Sequence, residues 1–555
     1  MRLLLACDSF DSPADAARGD SVLAFDRLAF ESLRGADNAY FVDDLLDWNE
    51  RIVVELAVGS VLESLTSDRV VAETEIDGYP LLAAARYDLR MAVTDLLRAY
   101  HAVTRLPCRD RLDGIDASRS CSYAIRLGAA AAVGLDADAV HPRPTTPRKR
   151  PPGLRAANAL LRGYADVRSA RNVRVLAFPG GKVTAALASL SATQLRRDAV
   201  GVATFPVLVG GGAVRLALAK GVPVVAADRA ADRPTESPVP IERLAEEPFL
   251  DAALRRLVTH VLARVAPTVA RAAASASALE SCTSCRAVVL PTVAVPTAHV
   301  ARTWARRRGT TCVVVQHGIH VFRDWHGGDE DADVLLGWGE AVEALFNGSR
   351  PTFRCIGTPG LRGLARPATT RVRRIVVTTT NAPTGSALGL SGFCEAFVSA
   401  LLPSLPRLLD AGISVDFRLH PAEDPRRYAL MLGGLSRRVR ISSSGPLATT
   451  LAHADLVVSS LSSAATEAAG SGLPVVLWLG WAPPSVRRRF MLPPLDRELP
   501  SAFADAAEFR ALTDELLVSP TQVLRRADEL TAILASYARP FDPGRFAEEL
   551  ERLAG

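Results

Sequence analysis

The sequence is poor in lysine, in clustered positive charge and in long apolar runs, and these shortages narrow the class of protein. Only three of its 65 basic residues are lysines, namely Lys149, Lys182 and Lys220, and a GC-rich genome would explain that as well as any function would. A net charge of +5 is too small for a dedicated nucleic-acid binder, so no nucleic-acid partner is expected. No stretch approaches the roughly 18 consecutive apolar residues of a membrane-spanning helix. With 48% hydrophobic and 23% charged residues, the composition is that of an ordinary globular protein.

The eight cysteines are scattered and form no pattern of a disulfide framework. A chain of 555 residues can build its cores without disulfides, so we expect a reducing, cytoplasmic location. The CxxC pair Cys282 and Cys285 lacks a second pair or nearby histidines, which favours a structural role over a zinc or redox site. No cluster of metal ligands appears in the second half of the chain either. We therefore expect neither a metal ion nor a cofactor.

The patterns divide the chain into four parts. Residues 1–140 begin with a strand and then show mostly helical periodicity, and residues 141–153 form a proline-rich basic linker. Beyond the linker, short apolar runs alternate with helical segments, which predicts two successive, mostly parallel, doubly wound sheets. These would occupy residues 154–366 and residues 367–555, the latter ending in C-terminal helices. We expect the two Rossmann-like halves to meet near residues 361–373 and to face a cleft that binds a nucleotide.

The most informative stretch is the apolar run that ends in Gln316, His317 and Gly318. A β-branched run of this length predicts a buried parallel strand, whose carboxyl end lies at the sheet edge where ligands bind. Gly318 would let a substrate approach the backbone. We therefore place Gln316 and Gly318 on the acceptor side of the cleft, with His317 facing the donor.

Two further motifs follow in the second half of the chain. In the first, a proline ends the strand after Arg418 and His420 and is expected to turn both side chains outward. In the second, Ser462 and Ser463 stand before a helix, where hydroxyl groups can hold a phosphate, and Glu467 one turn later can reach ribose hydroxyls. Each motif alone is weak, because a serine before a helix is usually only an N-cap.

A glycine turn from Pro179 to Lys182 follows a strand and precedes a helix. It is not a Walker loop, because Leu176 stands where that motif has its first glycine. Its glycines could bind an anion at the helix N-terminus, and a purely structural turn is the equal alternative.

Together, the motifs resemble those of the GT-B transferases of bacterial surface polymers. That group includes capsule polysaccharide enzymes, bacterial sialyl- and polysialyltransferases, and the glycerophosphotransferases of teichoic acid synthesis. The resemblance covers about residues 284–480, and it includes one more pair of motifs, formed by Trp338, Gly339, Glu340, Gly357 and Pro359. It implies an α/β fold of GT-B type with a helix-rich N-terminal region. It also implies that a cytidine nucleotide donor is bound by Arg418, His420, Ser462, Ser463 and Glu467.

The activity implied by the resemblance is transfer of a sugar or glycerol phosphate to a surface polysaccharide or glycolipid acceptor. His317 would be the general base, and the residues of the second half would meet the leaving phosphate in place of a metal ion. Two alternatives remain. One is a nucleotide-sugar 2-epimerase of GT-B fold, and the other is a non-catalytic partner in a polysaccharide assembly complex.

One departure from the group concerns the base. The paired acids followed by glycine of the sialyltransferases are missing, since Ala332 follows Asp331. The acids Asp324 and Asp329 to Asp331 therefore remain alternative bases, and a purely structural His317 remains a third possibility.

Two basic groups predict contact with a membrane surface. Arg148, Lys149 and Arg150 lie in the linker, and Arg487, Arg488 and Arg489 form a second run. Such groups bind anionic lipid headgroups, so we expect the protein to attach peripherally to the inner membrane face.

Overall fold

The structure is a computed structural model. It describes residues 1–7, 21–32, 38–65, 74–118, 121–141, 171–178, 180–204, 216, 219–226, 243–292, 294–323, 331–346, 351–361, 363, 371–380 and 392–555. The predictions on the linker, with Arg148, Lys149 and Arg150, and those on Asp324 and Asp329 lie outside the described residues.

The N-terminal region combines helices with a parallel sheet of four strands in the order β3-β2-β1-β6, and β4 and β5 form a separate antiparallel pair. The strands are β1 (Arg2–Ala6), β2 (Ser21–Ala24), β3 (Ala39–Phe41), β4 (Glu75–Ile76), β5 (Tyr79–Pro80) and β6 (Gly114–Ala117). The helices are α1 (Arg27–Ser32), α2 (Val42–Leu45), α3 (Trp48–Ser64), α4 (Leu81–Thr104) and α5 (Tyr123–Ala132). The region is helix-rich, as predicted. The sequence indicated only the first strand, because strands of two to four residues are too short to show a period of two.

The first Rossmann-like half contains a seven-stranded parallel sheet in the order β13-β12-β11-β10-β7-β8-β9. Its strands are β7 (Val175–Ala177), β8 (Val200–Thr204), β9 (Val224–Ala226), β10 (Ala287–Leu290), β11 (Thr311–Val315), β12 (Val334–Gly337) and β13 (Thr352–Cys355). Its helices are α6 (Gly181–Ser189), α7 (Ala192–Arg197), α8 (Pro248–Ala276) and α9 (Pro296–Arg307). Strands β10 and β12 are buried at every residue, as strands covered on both faces must be.

The second half contains a six-stranded parallel sheet in the order β16-β15-β14-β17-β18-β19. Its strands are β14 (Arg374–Thr378), β15 (Ser414–Arg418), β16 (Arg440–Ser442), β17 (Leu456–Ser460), β18 (Val475–Trp478) and β19 (Ala502–Phe503). The helices are α10 (Phe393–Leu401), α11 (Leu405–Asp410), α12 (Pro425–Leu432), α13 (Leu447–Leu451), α14 (Ser463–Gly470), α15 (Pro484–Phe490), α16 (Ala506–Val518), α17 (Pro520–Ala535) and α18 (Pro543–Ala554). The prediction of two Rossmann-like sheets is confirmed, and their nearest strands in the chain are β13 and β14.

Both sheets reverse their winding at a central strand. In the first half, β8 and β9 extend the sheet on one side of β7 and β10 continues it on the other. In the second half, β15 and β16 lie on one side of β14 and β17 lies on the other. Such a reversal opens a crevice at the carboxyl ends of the strands, where ligands bind in open α/β sheets.

Helix α18 departs from the domain boundaries predicted above. Its apolar residues Phe546, Leu550 and Leu553 pack against Val175 and Val313 on one face of the first sheet. The last helix therefore belongs structurally to the first half, although the sequence assigned all of residues 367–555 to the second. No helix within the described ranges is long and apolar enough to cross a membrane.

Candidate active site

The turn after β11 is held from inside by Gln316. This side chain has no exposed surface, and its amide donates to the Gly318 carbonyl at 2.8 Å. Its Oε1 accepts the backbone N–H of Trp338 at 2.8 Å, and its own carbonyl accepts the indole N–H of Trp338 at 2.8 Å. Gln316, which the sequence placed on the acceptor side, thus holds two strand ends together and has no surface to offer a substrate.

His317 is exposed at this strand end, and the residues after it contact the second half. The backbone N–H of Ile319 donates to Ser463 Oγ at 3.1 Å. A side chain at Gly318 would begin 3.7 Å from the same oxygen. The motif that ends β11 and the serine motif therefore meet directly across the cleft.

Three strand ends of the second half form one continuous edge. Thr378 at the end of β14 donates to Ser459 of β17 at 2.7 Å, and β15 pairs with β14 on the other side. Neighbouring strands lie about 4.8 Å apart, so the ends of β15 and β17 are separated by roughly 10 Å. The motif of Arg418 and His420 and the serine motif therefore lie on either side of the end of β14, at one edge of the sheet.

The serine motif is a helix N-terminus, as predicted. Ser462 is the N-cap of α14, accepts the N–H of Ala465 at 3.3 Å and is 5% exposed. Ser460 is fully buried, and its hydroxyl has no hydrogen-bond partner within the described part of the chain. Backbone N–H groups of the first helical turn and the Ser463 side chain are thus the groups best placed to meet an anion.

Arg418 and His420, predicted to point outward together, have different environments. Arg418 is 5% exposed, and its guanidinium donates to the carbonyls of Ser444 and Gly445. Burial lowers the pKa of Arg418. The outward orientation expected for this side chain is therefore wrong, because two turn carbonyls accept its hydrogen bonds in the interior.

His420 is exposed, as expected, and its ring orientation follows from one backbone contact. The N–H of Ala422 donates to Nδ1 of His420 at 3.2 Å. In the neutral ring the proton then resides on Nε2, which is a hydrogen-bond donor. A hydrogen-bond donor at Nε2 is what an anionic ligand needs.

Glu423 supports the histidine turn and was missed from the sequence. Its carboxylate accepts the N–H of His420 at 2.8 Å and the hydroxyl of Tyr428 at 2.6 Å, and it also contacts Thr379. The signal was present, because an acid three residues after a strand-ending residue can close the turn on its N–H, as in a capping box.

Lys182 is the second residue that sequence reasoning did not include in the site. Its ammonium lies 2.8 Å from Glu467 Oε1, 3.4 Å from the carbonyl of Pro359 and 4.8 Å from the centre of the Trp338 ring. Glu467, predicted to bind ribose, is therefore paired across the cleft with the glycine turn of the first half.

The alternative bases can be assessed only at Asp331. Its carboxylate pairs with Arg302, and its carbonyl accepts from Arg306 at 2.8 Å. Among the described residues, no group of three or more His, Cys, Asp or Glu side chains could hold a metal ion.

The CxxC pair lies in the core of the first half. Burial raises the pKa of Cys282 to about 11 and that of Cys285 to about 12, so both remain protonated thiols at neutral pH. This agrees with the structural role predicted for them.

Two doubly wound sheets facing a cleft, with a last helix that returns to the first sheet, define an α/β protein of GT-B type. No protein-family model matches the chain, and no curated protein matches it. Among solved structures, the chain is similar to a protein named as a UDP-N-acetylglucosamine 2-epimerase from Listeria monocytogenes, at 12% identity and a TM-score of 0.40, over 68% of this chain and 94% of that one.

It is also similar to the wall teichoic acid polymerase TagF, at 10% identity and a TM-score of 0.40, over 72% of this chain and 92% of that one. A third similar structure is the glycosyltransferase SnogD from Streptomyces nogalater, at 17% identity and a TM-score of 0.38, over 69% of this chain and 99% of that one. Sequence identities and TM-scores this low give no support to any particular function of this chain. The assignment of the fold rests on the sheet topology.

Proposed function

We propose that the protein is a metal-independent, glycosyltransferase-like enzyme that moves a sugar or glycerol phosphate from a cytidine-nucleotide donor to a surface polysaccharide or glycolipid acceptor. The observation that carries the proposal is the contact between Ile319 and Ser463. It brings the strand end that bears His317 against the helix N-terminus of α14. A base from one half and an anion site from the other can then act on one bound donor.

The leaving group would be stabilised by the second half. The N-terminus of α14 carries a partial positive charge and N–H donors, and His420 adds an exposed Nε2–H donor. Arg418 supports this edge indirectly, by fixing the turn at Ser444 and Gly445. Groups fixed before the reaction need no reorganisation as charge develops on the departing phosphate.

The first half would supply the base. His317 takes the proton of an acceptor hydroxyl as that oxygen bonds to the transferred group. The bond between this group and the nucleotide phosphate breaks, and the phosphate leaves with the electron pair. Gln316 positions this step by holding the turn on which His317 lies.

The test is to incubate the protein with CMP- and CDP-linked donors and to measure nucleotide release with and without a polysaccharide or glycolipid acceptor. Release that depends on the acceptor supports the proposal. Release of a free sugar from a UDP-linked donor without acceptor would instead indicate a 2-epimerase. Binding of a nucleotide without any turnover would indicate a non-catalytic partner.

We further propose that the acceptor is reached at a membrane surface. Helix α3 exposes half of Leu56, and Ile52 one turn earlier packs against the cluster of Val486 and Phe490 on α15. Helix α15 also carries exposed Arg488 and Arg489, whereas Arg487 is 7% exposed and cannot contribute a surface charge. An exposed apolar residue on one helix and two exposed cations on the helix packed against it suit an anionic lipid surface.

A further inference from the structure

Lys182 is the point at which three of the recognised motifs converge. Trp338 belongs to one motif, Pro359 to the next and Glu467 to the serine motif, and all three contact the same ammonium group. The Lys182 and Glu467 side chains are only 21% and 18% exposed. This amine therefore lies within the cleft and belongs to its wall.

Lys182 lies just after a strand end, at the edge of the sheet where ligands bind in open α/β folds. It follows Gly181, the first residue of α6, after β7, and β7 is the strand at which the first sheet reverses its winding. The pairing partner Glu467 lies on α14, which follows β17, the strand beside the reversal strand β14 of the second sheet. The two crevices thus face each other through this ion pair.

A lysine side chain is chemically suited to a contact that changes its partner. The chain uses arginine for nearly all of its positive charge, yet a lysine stands here. A lysine is a compact charge on a flexible stem with no fixed hydrogen-bonding plane, so it can exchange one anionic partner for another. Ser463 and Glu467 are four residues apart on one helix. A phosphate bound at Ser463 and the carboxylate of Glu467 would therefore lie about 6 Å apart along the helix axis.

We propose that Lys182 is a phosphate-binding residue of the donor site, and that a nucleotide makes it exchange Glu467 for a donor phosphate. This inference rests on the proposed function, and it adds a contact from the first half to the donor. Without ligand, the ammonium and the carboxylate neutralise each other. A bound nucleotide supplies a phosphate for Lys182 and ribose hydroxyls for Glu467, so neither charge is left unpaired in a partly buried site.

The experiment measures the dissociation constants of cytidine, CMP and CDP by isothermal titration calorimetry. Lys182→Met should weaken CDP binding by about tenfold or more, the scale of one charge-assisted hydrogen bond, and leave cytidine binding nearly unchanged. Lys220→Met is the matched control, because Lys220 donates to the carbonyl of Leu190 at 2.9 Å within the first half. It should leave the affinity for all three compounds unchanged.

A second variant keeps the test valid if Lys182→Met does not fold. Glu467→Gln frees Lys182 from its partner, and any lost ribose contact affects cytidine and CDP alike. The preference for CDP over cytidine should therefore rise. An unchanged preference in both variants, or tighter CDP binding by Lys182→Met, overturns the inference and leaves the proposed function standing. A wild-type protein that binds none of the three compounds overturns both.

Discussion

His420 owes its expected role to a single backbone contact. Because Nδ1 accepts the N–H of Ala422, the neutral ring donates through Nε2. Replacing this residue removes a donor aimed at developing negative charge. We therefore expect His420→Ala to lower donor turnover by about 10²-fold or more, measured as nucleotide release at saturating donor.

The control for this variant is His453→Ala. His453 lies just before β17, at the amino end of the same sheet and thus opposite the cleft. Its substitution should leave turnover unchanged. Equal turnover in folded His420→Ala and His453→Ala proteins would show that His420 does not meet the leaving group.

The motif of Arg418 and His420 also contains a feature that could not be predicted from the sequence. Both Arg418 and His420 were predicted to point outward, and only His420 is exposed. The difference is made by the carbonyls of Ser444 and Gly445, which come from another part of the sheet. No local pattern around Arg418 indicates which carbonyls will be free to accept its hydrogen bonds.

Helix α9 carries a buried histidine that links stability to pH. His299 is 3% exposed, Arg302 lies 3.2 Å from its Nδ1, and Asp331 pairs with that arginine. Burial, and to a lesser extent the charge of Arg302, lowers the pKa of His299 to about 3. The folded protein therefore keeps this ring neutral where the unfolded chain would protonate it.

The expected consequence follows from proton linkage. Above the unfolded pKa of about 6.5, the contribution of His299 to stability is complete, and it is lost as the pH falls from there toward about 3. The loss should be on the order of a few kcal/mol in the free energy of unfolding. Urea unfolding at pH 7.5 and pH 5 should show a smaller decrease in His299→Gln than in the wild type. Equal decreases would exclude His299 as the cause.

The elements themselves were largely predictable. Runs such as Cys312 to Val315 are apolar and buried at every position, as expected of a parallel strand covered on both faces. The location of α18 was not predictable. Its apolar face, with Phe546 and Leu550, indicates that the helix packs on a sheet, but nothing in it selects the first sheet over the second.

At the scale of the whole molecule, we propose that Leu56 on α3 and the exposed Arg488 and Arg489 on α15 contact an anionic membrane surface. We expect the protein to sediment with anionic vesicles at low salt and to be released as the ionic strength rises past about 0.15 M, because salt screens exposed charges.

Replacing both Arg488 and Arg489 by glutamate should abolish this binding. The double variant Arg510→Glu and Arg525→Glu changes the charge equally on α16 and α17, where both arginines are exposed, and should bind as the wild type. Binding that is insensitive to salt would indicate an apolar anchor instead.

In the proposed mechanism the roles are divided between the halves: the first supplies the base, and the second supplies most of the groups that hold the leaving group. The contact of Ile319 with Ser463 is the structural basis for this division. It could not be derived from either motif alone, because Ile319 and Ser463 are 144 residues apart in the sequence. A substitution of the proposed base His317 should therefore change the chemical step and not the affinity for nucleotide.

The most direct measurement is the transfer rate of His317→Asn beside its affinity for CDP. Asparagine keeps hydrogen bonding at this position but cannot take a proton at neutral pH. Transfer should fall by at least about 10²-fold, as loss of a general base causes, while CDP binds as tightly as to the wild type. If transfer persists with an unshifted pH profile, His317 is not the base, and the acids from Asp324 to Asp331 take its place.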